Sequence, residues 1–437
     1  MRTAWALPMF LLLVGCNHYE IFNIAGYEQS DFSNKADILF LIDNSSSMAD
    51  EAAALALNFD TFIGTLASSE GGTPATEDLS DAVDNYVTEF NDRGRIIDYQ
   101  LAITTTTVDY TASGDEGAID PGEAGLLLGD PTVISRTYPS VADAFTHNLL
   151  CEATCWSASA VEDVESYNCG DDPQGVISEQ YLDCICGADA WKDHCGAGTE
   201  EHLEAILLAY CRAAAEPPEI CYDDISPFTA SDVGTNPGFL RDDSTAVVVI
   251  VTDEGDTSRR LENGDEDPEI YAAALEEFGF PIRVAVIGPD YDQESGSFIC
   301  NSGGATTWGA ERLINLADAT SGFYNPIEET TDSECATTDF SVHLNDLGSL
   351  LNSLSNVFQL QTIPDVETIR VYVDGEPIPE AIATTDETTG EITYDAGWSY
   401  DPSQNAVVFW GDTVPDYNQD VRIYYLPLDG KPRELPF

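Results

Sequence analysis

Three short oxygen-rich stretches stand out because each sits where an apolar run ends or a helical pattern begins. Asp43-Asn44-Ser45-Ser46-Ser47 closes the run ADILFLI at residues 36–42. Gly198-Thr199 opens the helical pattern EEHLEAILLAY, and Thr252-Asp253-Glu254-Gly255-Asp256 closes the run AVVVIV. In a tight loop, alternate residues turn the same way, so Asp43, Ser45 and Ser47 face inward while Asn44 and Ser46 face away. One carboxylate and two hydroxyls then converge, and Thr199 and Asp253 are placed to add a third hydroxyl and a second carboxylate. Hard oxygen donors of this kind suit Mg2+, which keeps several waters in a near-octahedral shell; Ca2+ and Mn2+ draw on the same donors. Glu254 lies beside Asp253 as a candidate outer carboxylate. The run Thr104–Thr107 is a second source for the third hydroxyl. The plainer reading is that the serines cap a helix beginning near Met48.

So few carboxylates leave a divalent cation under-neutralised, and it attracts an Asp or Glu from a protein partner. A carboxylate held there is bound, not transformed. The five histidines sit in no nucleophile–base motif, and the chain has no HExxH, GxSxG or Gly-rich phosphate loop. Metal hydrolysis calls for several carboxylate or imidazole ligands around an activated water. A hydrolase would need the other acids of TDEGDTS to join, so a binding protein is expected rather than an enzyme.

The elements that must position these residues alternate. Residues 36–43, 99–106, 132–135, 246–252 and 282–288 read as strands, and 322–326 as an edge strand. Between them, residues 48–68, 78–90, 200–215, 267–278, 310–320 and 340–360 carry apolar positions at helical spacing. Strands alternating with helices imply an α/β fold with a doubly wound, mostly parallel sheet. Ligands bind such sheets beyond the carboxyl ends of the strands, where the strand order reverses. That is where Asp43 and Asp253 fall if their strands are neighbours. After Pro364 short alternating strands at 368–373, 391–394, 406–410 and 420–426, with an Asp374-Gly375 turn, predict a small β-sandwich.

The order DxSxS after a buried strand, Gly-Thr opening a helix, then TD after an apolar strand resembles the von Willebrand factor A (vWA) domain and its metal-ion-dependent adhesion site (MIDAS). The resemblance covers roughly residues 36–360, with insertions at about 69–97 and 151–198. It implies that Asp43, Ser45, Ser47, Thr199 and Asp253 hold a cation, probed by a partner's acidic residue in an adhesive contact. The sequence departs from the family in placing Glu254 where glycine usually follows the last aspartate. A structural scaffold with a stabilising or non-binding metal site is the alternative function.

The first 15 residues, a cationic start followed by AWALPMFLLLV, are too short to span a bilayer and have the layout of a secretory leader. Leu13-Val14-Gly15-Cys16 resembles a bacterial lipobox, with Cys16 as the lipid attachment and residues 16–35 as a tether. Asn17 favours the outer membrane and the cell surface. The remaining 10 of 11 cysteines then form an even set, a disulfide framework concentrated at 151–221, where loops dominate. Cys300 and Cys335 form a candidate pair apart from it, and the other connections stay open. A zinc site from Cys184, Cys186, His194 and Cys195 fits no common spacing. Acids number 79 against 16 Lys plus Arg, a formal charge of −63 spread along the chain. Nucleic acid, which demands clustered cations, is excluded as a partner; salt adaptation and cation binding are the two sources of such a charge.

Overall fold

A strand apolar at consecutive positions has no polar face, so it has to be covered on both sides. The computed structural model describes residues 27–29, 35–67, 97–108, 122–156 and 177–428, the last stretch with short breaks. The leader, Cys16, the helix expected at 78–90 and residues 157–176 with Cys169 lie outside these residues.

The described chain starts with a short strand, β1 (Tyr27–Gln29), inside the stretch expected to be a tether, and then enters β2 (Lys35–Ile42). A six-stranded sheet is completed by β3 (Asp98–Thr105), β4 (Leu128–Ser135), β5 (Ser244–Val251) and β6 (Ile282–Gly288). Its last strand follows a hairpin of β7 (Asp290–Asp292) and β8 (Ser297–Cys300), as β9 (Phe323–Pro326). The spatial order is β4-β3-β2-β5-β6-β9. All neighbours pair in parallel except β4, which runs antiparallel to β3. The expected third strand at 132–135 is therefore longer than its apolar residues suggest, and an antiparallel edge.

Helices cover both faces. Ile38, Phe40 and Ile42 of β2, with Val247, Val249 and Val251 of β5, pack on one side. There they meet α1 (Ala49–Ala67), α2 (Val141–Glu152), α3 (Glu179–Cys186) and a long later helix at Phe340–Leu354. Phe40 packs edge-on against Phe59 and Phe145, which stack on each other with ring centroids 3.7 Å apart. Leu39, Leu41, Val248 and Ile250 face the other layer, α4 (His202–Ala213), α5 (Glu269–Glu276) and α6 (Thr307–Ala319). Two faces of each central strand are thus buried by period-two alternation, which makes the sheet doubly wound.

Past β9 come a hairpin of β10 (Glu328–Thr331) and β11 (Glu334–Thr337), then α7 (Phe340–Leu354). The helix expected to run to residue 360 stops early because Val-Phe-Gln forms β12 (Val357–Gln359), paired with a later strand. The C-terminal strands are β13 (Arg370–Val373), β14 (Glu376–Ile378), β15 (Ala383–Thr385), β16 (Ile392–Tyr394), β17 (Gly397–Asp401), β18 (Ala406–Trp410) and β19 (Val421–Tyr425). A four-stranded sheet, β1-β19-β13-β14, and a three-stranded one, β12-β18-β17, share a core of Phe358, Ile369, Val371, Trp398, Val407, Phe409 and Ile423. Asp374 and Gly375 both take positive φ at the β13–β14 turn, as a tight two-residue hairpin requires.

Four disulfides join Cys151–Cys186, Cys155–Cys195, Cys211–Cys221 and Cys300–Cys335. Cys184 is disulfide-bonded too. With Cys184, Cys186 and Cys195 oxidised, the zinc alternative has no thiolates left to use.

At the amino ends of the strands, far from the three oxygen-rich stretches, Asp37 on β2 is fully buried. It accepts from Arg241 Nε at 2.7 Å, the Arg241 backbone N–H at 2.8 Å and Ser244 Oγ at 2.6 Å. Breaking a buried pair from one side strands a charge. Arg241→Ala should therefore cost about 3–5 kcal/mol in denaturant unfolding, and a loss below about 1 kcal/mol would show the pair to be dispensable.

Candidate functional site

Because β2 and β5 pair in register, Ile42 opposite Val251, the residues that follow both strands emerge side by side. The Asp43 N–H donates to the Val251 carbonyl at 3.0 Å, carrying the ladder one step past β2. The Asp43 carboxylate, with no exposed surface, accepts from the Ser45 N–H at 2.8 Å and from Thr252 Oγ1 at 2.7 Å. Those two bonds fix it at the floor of the site.

Above the floor, Ser45 and Ser47 place their hydroxyls 3.0 Å apart, and Ser47 Oγ donates to Asp253 Oδ1 at 3.2 Å. Ser47 is exposed, so the site opens to solvent on that side. Ser45 stands at the cap position of the turn Ser46–Met48, yet its side chain bonds no backbone N–H there. Asp43, Ser45, Ser47 and Asp253, separated by up to 210 positions, are brought together.

The loop carrying Thr199 is pinned at both ends. The Gly196 N–H donates to the Asn44 carbonyl at 3.0 Å, and Asn44 Nδ2 donates to the His194 carbonyl at 3.4 Å. Thr107 Oγ1 donates to Asn44 Oδ1 at 3.0 Å. A Cβ on Gly196 would lie 2.2 Å from Asn44 Oδ1 and 2.3 Å from Thr107 Oγ1, so a larger residue would have to push this hydrogen-bonded pair aside. Asn44, expected to face away into the loop, ties the Cys155–Cys195 region to the Asp43–Ser47 turn. At the other end, the Glu201 N–H donates to the Thr106 carbonyl, and Thr257 donates twice to the Glu200 carbonyl. Thr199 is half-buried between these anchors. Of the rival hydroxyls, Thr104 donates to the Leu126 carbonyl, Thr105 to Glu123 and Thr107 to Asn44, which leaves Thr106, next to the end of β2 and to Glu201, as the one still beside the site.

The side chain the loop delivers beside Asp43 is Glu200, which reading the sequence passed over. It is 1% exposed and feels the charge of Asp43 and a hydrogen bond with Glu254, and its Oε1 finds no donor among the described residues. Burial, then the charges of Asp43 and Glu254, pushes Glu200 up to about 11. Burial and the Asp43 charge raise Asp253 to about 8, and burial raises Glu254 as well. Glu51, on the first turn of α1, adds another buried carboxylate near Asp253, raised by its burial. Among the described residues no three His, Cys, Asp or Glu side chains stand grouped tightly enough to hold a cation by themselves. The donors that do converge are two hydroxyls and the two carboxylates of Asp43 and Asp253. That set fits a hard divalent cation which keeps part of its water, and the crowded, charge-starved acids give it an electrostatic reason to bind.

Behind Asp253, a buried network holds the acidic loop in place. Asp256 accepts from the Leu203 N–H and from Ser258, and the fully buried Arg312 donates to Asp256 and to the carbonyls of Glu262 and Asp265. Arg260 pairs with Glu204 and Asp223, and Arg259 with Glu201. Gly255 packs against the start of α6, where a Cβ would meet backbone atoms at 3.0 Å.

No protein-family model and no curated protein matches the chain. Among solved structures, a von Willebrand factor type A protein from Catenulispora acidiphila is 12% identical over 91% of this chain and 59% of its own length, with a TM-score of 0.31. The proximal thread matrix protein 1 of the mussel byssus is 12% identical over 77% of this chain and 52% of its own, at 0.27. This chain spans little more than half of either protein, and likenesses at such TM-scores carry no weight for function. The fold rests on the strand order and register described above.

Carboxylates whose folded pKa is raised bind protons more tightly folded than unfolded. Their stabilising share is fully present below about pH 4 and is lost as pH rises through about 8, the Asp253 value. In chelator, Tm should therefore fall between about pH 5 and pH 8. Adding Mg2+ should raise Tm more at the upper end of that window than at the lower. A Tm flat with pH in chelator, and equally indifferent to Mg2+, would count against this cluster.

Proposed function

We propose that this protein is an exported lipoprotein, anchored through Cys16 at the outer membrane or cell surface, that binds a protein partner through a divalent cation in a vWA-like domain. The cation, Mg2+ most simply, is held MIDAS-fashion by Asp43, Ser45, Ser47, Thr199 and Asp253, with Glu254 outside it. It presents an open, under-neutralised side to an acidic residue of the partner. One observation carries this reading: two serine hydroxyls 3.0 Å apart and an Asp253 carboxylate 3.2 Å beyond, from loops after two neighbouring parallel strands, converge over a buried aspartate.

The disulfides agree with export. The reading is of binding rather than turnover, because no nucleophile–base pair accompanies the oxygen donors. A scaffold subunit with a purely stabilising cation is the second reading. It is favoured by the way Ser45, Ser47 and Asp253 already satisfy one another.

Capture from native envelope extract separates the two. With Mg2+, the wild-type chain should retain a discrete partner that chelator releases and that Ser45→Ala fails to hold. Partner retention indifferent to both chelator and Ser45→Ala, with Tm still rising on Mg2+ addition, would favour the scaffold.

A further inference from the structure

We infer that the C-terminal sheet β1-β19-β13-β14 docks end-on against a lipid bilayer, with Ile363, Leu426 and Leu428 entering it and Arg370 and Arg422 meeting its phosphate headgroups. This goes beyond the cation site, and it rests on the proposed anchor at Cys16 for holding the bilayer near.

The register fixes what the outer face of this sheet carries. Val371, Val373, Val421, Ile423 and Tyr425 are buried in the core shared with the second sheet, so their alternates on β13 and β19 point the other way. Arg370 stands opposite Tyr424 and Tyr372 opposite Arg422. The two tyrosine rings meet edge-on with centroids 5.6 Å apart, and both arginines are exposed. Past the end of β19 the pairing continues around a bridge between Pro364 and Pro427. There the Leu428 N–H donates to the Ile363 carbonyl at 2.9 Å and the Asp365 N–H to the Leu426 carbonyl at 2.6 Å. Ile363 is therefore opposite Leu428, while Pro364 between them turns inward and is buried. Ile363 is 61% exposed, Leu428 69% and Leu426 37%.

Read inward from its end, the β19 strand presents Leu428, Leu426, Tyr424 and Arg422 at alternate positions. Apolar tip, then tyrosine, then cation is the order of a membrane interface: hydrocarbon, boundary, headgroups. The charge is notable in a chain with 79 acids against 16 Lys plus Arg. Arg370 donates to the carbonyls of Glu367 and Ile369, which carry no net charge. Asp365 and Glu367 border the tip, so the apolar end has to lead.

Strand β1 says where the bilayer lies. Tyr27 pairs with Tyr425, so the chain coming from Cys16 reaches the sheet at the end that carries Leu426 and Leu428. Tyr27 comes eleven residues after Cys16, a reach of at most about 40 Å. An anchor there holds this end of the sheet, rather than a remote surface, next to the lipid.

Hydroxyl-radical footprinting reads the exposure of these side chains directly. The lipidated full chain on vesicles of phosphatidylethanolamine and phosphatidylglycerol is compared with the Cys16→Ser chain free in solution, with circular dichroism to confirm folding. On vesicles, modification of Ile363, Leu426 and Leu428 should fall about tenfold, while Ile225 and Ile299, exposed on the α/β domain, stay within about twofold. Ile363→Ser/Leu428→Ser should return Tyr424 to the modification of the free chain. Arg370→Gln/Arg422→Gln should restore modification of Leu426 severalfold, and only where phosphatidylglycerol is present. Protection shared equally by Ile225 and Ile299, or absent from all five residues, would overturn the docking. So would protection of Ile363 and Leu428 that rises with concentration in the free Cys16→Ser chain, because the face would then join two copies. Flotation separates the two levels of failure. A wild-type chain that does not float with the vesicles removes the anchor and the docking with it; one that floats with its tip unprotected removes the docking alone.

Discussion

Asp43 is a carboxylate with no exposed surface, set at the point where two parallel strands end side by side. Burying an acid is tolerable only if hydrogen bonds replace its water. Two do so, from the Ser45 N–H just downstream and from Thr252 Oγ1, more than two hundred residues later. That requirement couples the β2–β5 register to the site. Side chains alternate along a strand, so a slip of one residue would turn Asp43 into a helix layer and Thr252 away from it. The strictly apolar alternation of β2 and β5, feeding two separate cores, is what forbids the slip. The same sheet carries a second buried aspartate, Asp37, at its other end, and there the counter-charge is built in as Arg241. At the Asp43 end the neighbouring groups are Glu200, Asp253 and Glu254 instead.

That asymmetry gives the net charge a local meaning. With 79 acids against 16 Lys plus Arg, cations are scarce, and the structure commits them with care. Arg212, Arg241, Arg259, Arg260 and Arg312 are all engaged with acids that hold loops onto the sheet or helices. Three of them, Arg259, Arg260 and Arg312, brace the two segments that flank the site, around residues 200–204 and 253–265. The arginines thus hold the acidic loops close enough to repel one another, and an ion from solution is the natural complement. The acids are thus of two kinds, those spread over the surface and those crowded around Asp43, in different places.

Much of this was legible in the chain. Consecutive apolar residues gave β2, β5 and β6 almost to the residue, and the structure brings the expected Asp43, Ser45, Ser47 and Asp253 side by side. The misses have physical reasons. Helix α2 escapes the sequence reading although Ser140, a capping-type residue, stands just before it; in the fold Ser140 is left-handed and its side chain makes no cap hydrogen bond. The β12 segment looked like the end of α7 because Val357 and Phe358 continue its apolar spacing; only pairing with β18 makes it a strand. Strand β1 is three residues long and takes its order from β19, a partner nearly four hundred positions away. Glu200 was overlooked because the eye stops at Thr199, where a hydroxyl was wanted. Acid-after-acid neighbours, Glu200 beside Thr199 and Glu254 beside Asp253, were the available signal.

The disulfide-held insertion is where fold and site meet. A loop-rich segment with few apolar residues cannot hold its own shape, so covalent bridges do it. Cys155–Cys195 ends one residue short of Gly196, and Gly196 is bonded to Asn44, which lies between Asp43 and Ser45. An Asn44 side chain clasped by Thr107 and by the His194 carbonyl cannot move without carrying both neighbours along. The geometry of the DxSxS turn is consequently not a property of that turn alone. It is set by a bridge over a hundred residues away, and any surface the insertion offers to a partner is mechanically continuous with the site beneath it.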